Sequence, residues 1–321
     1  MYHIIVNPAS RSGKGEKIWH TLLPVLKKNH TDYKVYLTKG IGDACKIAKD
    51  ITSNLSNPLK LIILGGDGTI NEVLQGIQQF ELTDIAYIPT GSSNDLARDM
   101  GLQTDPIRAL EQILHSDSIV LTDIGCLTCN HGYHTLSGDY VSGVHTRLFQ
   151  VSTGIGFDAS VCEYALHSKI KDTLNHLGLG KLTYLGIALR LLLKGETVSC
   201  QITFEDGAVL KLDHLLFAAV MNHRYEGGGF MFAPDADYAD GYLNLCAAHN
   251  LTFSRALRIL PTAFDGKHLH FNEIHSGKSS CIRLTTSKPL CVHTDGEVPF
   301  HADDISVTVF PHKLRLIQTN L

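Results

Sequence analysis

Apolar residues in the first third of the chain come in short runs, each followed by a polar loop and then by apolar positions three and four apart. Runs of that length predict buried strands, and the spacing after them predicts helices with one buried face. Strands are expected at 2–6, 33–37, 59–64 and 84–88, and helices at 16–28, 43–51, from 70 to about 77, and 96–100. The first helix would bury Ile18, Trp19, Leu22, Leu23 and Leu26. Alternation of this kind predicts a parallel sheet covered by helices on both faces. Ligands of such sheets bind outside the carboxyl ends of the strands. The polar loops after the first, third and fourth strands all fall at that edge, so they should converge on one cleft.

From about Ser118 the pattern changes. Segments 120–124, 147–151, 198–204, 215–221, 242–247, 281–285 and 306–310 are β-branched or alternating and predict strands. One helical stretch, about 158–193, interrupts them and carries a glycine break at Gly178-Leu179-Gly180. This half predicts a second domain dominated by antiparallel sheet, joined without a low-complexity linker. A length of 321 residues suits two domains.

Composition narrows the class. With 44% hydrophobic and 19% charged residues the chain can bury a sizeable core. A net charge of −4 argues against nucleic acid as the main partner. The N-terminus enters a strand with no basic leader, and no apolar run approaches the roughly 20 residues of a spanning helix. The eight cysteines are scattered, as expected of free thiols in a cytoplasmic protein. One cluster, Cys126, Cys129, His131 and His134, could hold zinc, but structural zinc sites draw their ligand pairs from separated segments. A histidine-rich hairpin is the simpler expectation.

Gly65-Gly66-Asp67-Gly68-Thr69 carries the strongest chemical signal. A strand, a glycine turn and a helix start together aim backbone N–H groups at an anion. Asp67 would repel a bare phosphate, so the turn makes sense if a divalent cation lies between them, or if Asp67 holds a hydroxyl. A helix cap is the simpler alternative for Asp67, but three glycines exceed what a cap needs. Asn71 stands where the dinucleotide fingerprint needs its third glycine, so that motif fails. The loop Asn7 to Gly15 contains Gly13-Lys14 without the full phosphate-loop spacing and suggests a second anion loop near Arg11 or Lys14. Thr90-Gly91-Ser92-Ser93-Asn94-Asp95 offers hydroxyls and amides at a helix start, or simply caps it. Pro234 to Gly241 fails the calcium-loop spacing but leaves room for a smaller, hydrated cation at Asp240, or for an acidic turn. Thr294-Asp295-Gly296-Glu297 places two carboxylates at a chain reversal, where one can act as base and the other orient it.

Asn7-Pro8, Gly65 to Thr69, Pro89 to Arg98, Pro234 to Gly241 and Asp295-Gly296-Glu297 occur in the order found in diacylglycerol kinases, and the chain resembles the bacterial lipid kinase branch of that family. It is also similar to sphingosine kinases and, more distantly, to NAD kinases. The resemblance implies an α/β + β fold. A Rossmann-like parallel α/β nucleotide domain would cover 1–125 with a return strand in 303–321, and a mainly antiparallel domain at 126–302 would carry the catalytic base. It implies transfer of the γ-phosphoryl group of ATP, with Mg2+, to a lipid hydroxyl, diacylglycerol first. By that likeness the nucleotide contacts Asn7, Pro8, Ser10, Thr38, Gly65, Gly66, Asp67, Gly68, Thr69, Asn71, Glu72, Thr90, Gly91, Ser92 and Asn94. Glu297 matches the proton acceptor with Asp295 supporting it, and Asp67 and Asp95 match acids near the transferred phosphate. A structural magnesium would be held by Asp240 and by main-chain oxygens of Asp237 and Tyr242. The reaction would then lie in the interdomain cleft, where closure excludes water. Two features depart from the pattern: Ser92 stands where the family often has threonine, and residues 129–145 resemble an insertion.

The resemblance also implies a cytoplasmic enzyme, peripheral at the inner membrane surface, with a homodimer as one assembly. A patch in which Arg147, Lys169, Lys171, Lys181, Arg190 and Lys194 outnumber Asp158, Glu163 and Asp172 could meet anionic headgroups or form a solvated helical face. The alternatives are a kinase of a soluble acceptor such as NAD, and a nucleotide-binding regulator without transfer activity.

Overall fold

The computed structural model describes residues 1–135, 138–166, 180–194 and 197–319. The chain forms two compact units, one of Met1–Asp123 with His312–Leu321 and one of Ile124–Pro311.

In the first unit, β1 (Tyr2–Val6), β2 (Tyr33–Leu37), β3 (Leu59–Gly65) and β4 (Thr83–Pro89) form a parallel sheet ordered β2-β1-β3-β4. The chain's last strand, β13 (Glu297–Ile317), adds its final residues to β4 in parallel, with Arg315 opposite Asp84. Strands β3 and β4 are almost wholly buried, as their unbroken apolar runs require. One sheet face sets Ile4, Val6, Ile62, Leu64, Ala86 and Ile88 against Trp19, Leu22 and Leu26 of α1 (Ser10–Lys28) and Ala109, Leu110 and Ile113 of α5 (Pro106–His115). Helix α1 begins at Ser10, six residues earlier than its apolar spacing suggests, so Arg11 to Gly15 are drawn into its first turns. Gly15 lies against the Asn7 carbonyl, where a Cβ would approach to 2.2 Å, and this close approach holds the loop short.

Helices α2 (Asp43–Thr52) and α3 (Asp67–Gly76) pack on one another. Gly76 permits this: a Cβ there would lie 2.1 Å from the Cys45 carbonyl oxygen. Backbone cannot swing aside as a side chain can, so Gly76→Ala should lower unfolding stability by about 2–3 kcal/mol, read as a fall in the urea midpoint.

The second unit is antiparallel, ordered β11-β10-β9-β7-β12-β13, with β8 paired to β9 and β12 and β5 paired to β6. Its strands are β6 (Tyr140–Phe149), β7 (Ser152–Gly156), β8 (Val198–Phe204), β9 (Val209–Met221), β10 (Leu243–His249), β11 (Ile274–Ser279) and β12 (Cys281–Thr294), with most of β5 (Ile119–His134) and of β13. The core gathers Phe149, Ile155, Ile202, Leu215, Ala218, Leu245, Ile282, Leu284, Val292 and Val307 from alternate positions of these strands. Helices α6 (Phe157–Leu166), α7 (Gly180–Lys194) and α8 (Phe253–Ile259) belong to this unit. The expected break at Gly178-Leu179 lies outside the described residues. No described helix is long and apolar enough to cross a membrane.

Candidate active site

Three loops at the carboxyl ends of β1, β3 and β4 meet in the first unit. Asn7 donates from Nδ2 to Thr69 Oγ1 at 2.9 Å, and Ser10 Oγ lies 2.8 Å from Thr90 Oγ1. The Thr90 N–H donates to the Gly65 carbonyl at 2.7 Å. Gly66 and Gly91 touch backbone to backbone: a Cβ on Gly91 would stand 2.7 Å from the Gly66 Cα. The two turns thus lie in contact at their glycines, directly before α3 and α4 (Asp95–Asp99).

Asp67 opens α3, and its Oδ2 accepts from the Asn94 N–H at 2.7 Å, tying the first turn to the second. Asn94 holds a left-handed conformation (φ 52°) and clamps Gly91 twice, accepting from its N–H at 2.9 Å and donating to its carbonyl at 3.1 Å. Beneath them lies Tyr87, which sequence reasoning missed. Its hydroxyl donates to Asn94 Oδ1 at 3.3 Å. Burial, then the Asp67 and Asp95 carboxylates, push this hydroxyl's pKa well above that of an ordinary phenol. Both carboxylates thus act on the Tyr87 hydroxyl, and their hard oxygens are the donor type that fits a magnesium ion. Thr38 sits at the same edge, its N–H donating to the Val6 carbonyl at 2.9 Å, and Ser92 is exposed in the second turn. Pro8 and Gly68 complete the two loops, the Pro8 carbonyl accepting from Glu16 N–H at 3.2 Å. Asn71 is fully buried, and Glu72 accepts from the Ala44 N–H at 3.3 Å, so both brace α3.

The second unit presents Glu297. Strands β12 and β13 are joined by the two residues Asp295 and Gly296, at φ 49° and 82°, with Thr294 paired to Glu297. Positive φ at both positions of a two-residue hairpin favours Asp-Gly, so the turn is read directly from the sequence. The Asp295 carboxylate accepts three backbone N–H groups, from Gln150 at 3.0 Å, Val151 at 2.8 Å and Ser152 at 3.1 Å. Arg147 donates from Nε to Thr294 Oγ1 at 2.8 Å.

Behind this turn lies a cluster that sequence reasoning did not find. His293 is fully buried, and its Nδ1 accepts from the Gly296 N–H at 3.2 Å. Its Nε2 lies 3.3 Å from Asp158 Oδ2 and 3.3 Å from Glu226 Oε1. Burial resists charge on the ring, but Glu226 and Asp158 outweigh it and raise the proton affinity well above an ordinary histidine's. Burial, reinforced by Glu226, also raises Asp158. Beside them Glu163, Cys291 and His301 bring a carboxylate, a thiol and an imidazole within 4.8 Å of one another. Burial and Glu163 push the Cys291 thiol up.

Asp240 is already engaged on both oxygens: Oδ1 accepts from the Tyr242 N–H at 2.9 Å, and Oδ2 pairs with Lys278 Nζ at 2.5 Å. A magnesium ion there would have to displace the Lys278 ammonium. Asp237 Oδ1 accepts from the Ala239 N–H at 3.0 Å. Cys126 and Cys129 point to opposite faces of β5, three residues apart, so they cannot close on one ion as a pair. The side chain of His131 lies outside the described residues. So do Lys169, Lys171 and Asp172 of the basic patch, and the side chains of Lys181 and Lys194. Of its described members, Arg147, Asp158 and Glu163 turn inward, to Thr294, His293 and His301, while Arg190 is exposed.

Comparison with known proteins agrees with these parts. Residues 1–125 match the diacylglycerol kinase catalytic domain, and residues 151–318 match the YegS C-terminal NAD kinase beta sandwich-like domain. The chain is 25% identical to YtlR of Bacillus subtilis over 98% of its own length and 96% of that protein's. It is 26% identical to the diacylglycerol kinase of Staphylococcus carnosus, covering 92% of this chain and 87% of that one. Two crystal structures from Bacillus anthracis, the second named a diacylglycerol kinase, have TM-scores of 0.73 and 0.68 at 23% and 21% identity, each over 98% of this chain and 96% of that one. At that identity the likeness carries the fold alone. The chain belongs to the diacylglycerol kinase family and is a lipid kinase.

Proposed function

We propose that this lipid kinase transfers the γ-phosphoryl group of ATP to the free hydroxyl of diacylglycerol, giving phosphatidic acid, with Mg2+ as the companion ion. The observation that carries this reading is the meeting of the loops after β1, β3 and β4, with Asp67 bound to the Asn94 N–H and Gly66 packed against Gly91. Phosphoryl transfer needs positioning and charge neutralisation more than covalent chemistry. Asp67 and Asp95 would hold the ion, which when bound supplies neutralisation of the phosphate charge. The amides of Gly66, Gly68, Ser92 and Ser93 orient phosphate oxygens, with Asn7 and Ser10 fixing the loops that bear them. Glu297 accepts the proton of the lipid hydroxyl, and Asp295 holds the turn from which Glu297 emerges. Nucleotide binding is thus assigned to the first unit and the base to the second.

The test incubates the purified protein with γ-labelled ATP and vesicles containing diacylglycerol, a sphingoid base or a polyprenol, with NAD as a soluble acceptor. Label in the diacylglycerol arm supports the reading; label in NAD alone overturns it. Asp67→Asn keeps an oxygen for the Asn94 N–H and removes the charge. It should lower kcat by about 100-fold or more with the melting temperature little changed, and ADP affinity should lose its sensitivity to a chelator. Undiminished turnover would remove Asp67 from the reaction.

A further inference from the structure

The buried cluster behind the Asp295-Gly296 turn is not explained by nucleotide or lipid binding. A histidine with two carboxylates is an expensive way to fill a core, because each group must be desolvated and an apolar side chain would pack more cheaply. Room has also been made for it. Gly154 lies opposite His293 across β7 and β12, and a Cβ there would stand 2.0 Å from Asp158 Oδ2 and 2.6 Å from His293 Nε2. Three distant segments thus give up apolar packing at one point.

The directions of the hydrogen bonds say what the cluster does. A backbone N–H can only donate, so the ring nitrogen facing Gly296 must keep its lone pair. The ring proton is then on Nε2, where Asp158 Oδ2 and Glu226 Oε1 both face it. The carboxylates select the one tautomer that can accept from Gly296. The carboxylates' pull on a second ring proton is opposed at Nδ1, where that proton would confront the Gly296 N–H, so the geometry places it on Asp158, whose proton affinity burial raises. Cys162 of α6 also lies within electrostatic reach of the ring, and burial keeps it a neutral thiol, its pKa pushed up to about 12.

The same geometry argues against a metal ion here, although the three ligand atoms lie within 4.8 Å of one another. A histidine that ligates through Nε2 carries its proton on Nδ1 and donates it to an acceptor. In this chain a donor stands at that position.

We propose that His293 is a positioning residue for phosphoryl transfer. Its Nδ1 holds the Gly296 amide, and so sets the direction in which Glu297 leaves the hairpin, while Asp158 and Glu226 hold the ring in the accepting tautomer. The proposal rests on the assignment of Glu297 as the base. Asp295 grips the turn from one side through three amides, and His293 grips the following residue from within the core. Held at two consecutive residues, the turn cannot rock about either.

The test is a double-mutant cycle in mixed micelles of diacylglycerol and detergent. His293→Leu removes the acceptor at nearly constant volume, and His293→Asn returns an oxygen near the Nδ1 position. Each is made alone and with Glu297→Gln, and folding is monitored by circular dichroism and melting temperature. His293→Leu should lower kcat by about 10–100-fold while KM for ATP and ADP affinity stay within about twofold, and His293→Asn should recover most of the loss. In the Glu297→Gln background the same Leu substitution should change the residual rate by less than about twofold, because the residue it positions is gone. Should the Leu variant fail to fold, Glu226→Gln, which keeps shape and loosens the hold on Nε2, should lower kcat several-fold with KM unchanged.

A fully active Glu297→Gln enzyme would overturn the base assignment itself. An inactive Glu297→Gln with equal losses from His293→Leu in both backgrounds, or with Asn no better than Leu, would overturn the positioning role and leave the base intact. Stoichiometric metal in the purified protein that disappears with His293→Leu would also overturn it, in favour of a cation site.

Discussion

Glu297→Gln should abolish phosphoryl transfer while leaving nucleotide binding almost untouched. Glu297 begins β13 as the partner of Thr294, half-buried and directly after a turn whose two residues are fixed by Asp295 and His293. Glutamine keeps the length, volume and strand propensity of the side chain but cannot take a proton from a lipid hydroxyl. A general base contributes about 10²–10⁴-fold, and kcat should fall within that range. Affinity for ADP, measured by calorimetry, should stay within about twofold, because the residues proposed to bind nucleotide belong to the other unit. The loss should appear in kcat with KM for lipid nearly constant, the pattern of an interaction made only in the transition state. A glutamine enzyme with wild-type turnover would leave the D-G-E hairpin with no chemical role.

The hairpin also shows what a single sequence reveals and what it hides. Strands β1, β2 and β8 fall at the expected residues, because each combines an apolar run or clean alternation with polar flanks. Strands β12 and β13 were expected only as fragments. Pro289, Pro299 and Pro311 interrupt their pattern, and the exposed stretch of β12 around Ser287 breaks its alternation. Two glycines in β7 and the polar edge strand β11 weakened those signals further. Helix α5 does carry a start signal, Asp105 accepting from the Arg108 N–H with Pro106 next, yet it was absent from the expected elements. At the site, the glycine turns and the Asp-Gly reversal were legible because local backbone geometry restricts residue choice. Tyr87, Asp158, Glu226 and His293 were not. Tyr87 takes its meaning from the loops after β3 and β4, and His293 from α6 and the loop after β9, and nothing local distinguishes a strand tyrosine or histidine that meets carboxylates from one that fills a core.

Asp295→Ala should cost more stability than any other single change in this hairpin, and the comparison of three substitutions can apportion the loss. The carboxylate takes the N–H groups of Val151 and Ser152 on Oδ1 and of Gln150 on Oδ2, and all three residues are buried. Alanine leaves those amides without an acceptor, at about 1–3 kcal/mol for each that water cannot reach. It must also hold φ 49°, a left-handed conformation costing about 1 kcal/mol for a side chain that cannot bond locally. A total near 4 kcal/mol follows, read from the denaturant midpoint. Asp295→Gly removes the conformational part alone and should be about 1 kcal/mol less damaging than alanine. Asparagine tolerates the left-handed region and can keep Val151 and Ser152 on its oxygen, but its amide group would face the Gln150 N–H, so about half the loss should remain. Stability and kcat should fall in the same order, Asn least and Ala most, because Asp295 acts on the reaction by holding the segment that carries Glu297. A stable Asp295→Asn enzyme with kcat as low as that of Glu297→Gln would instead place this carboxylate in direct contact with the reacting groups.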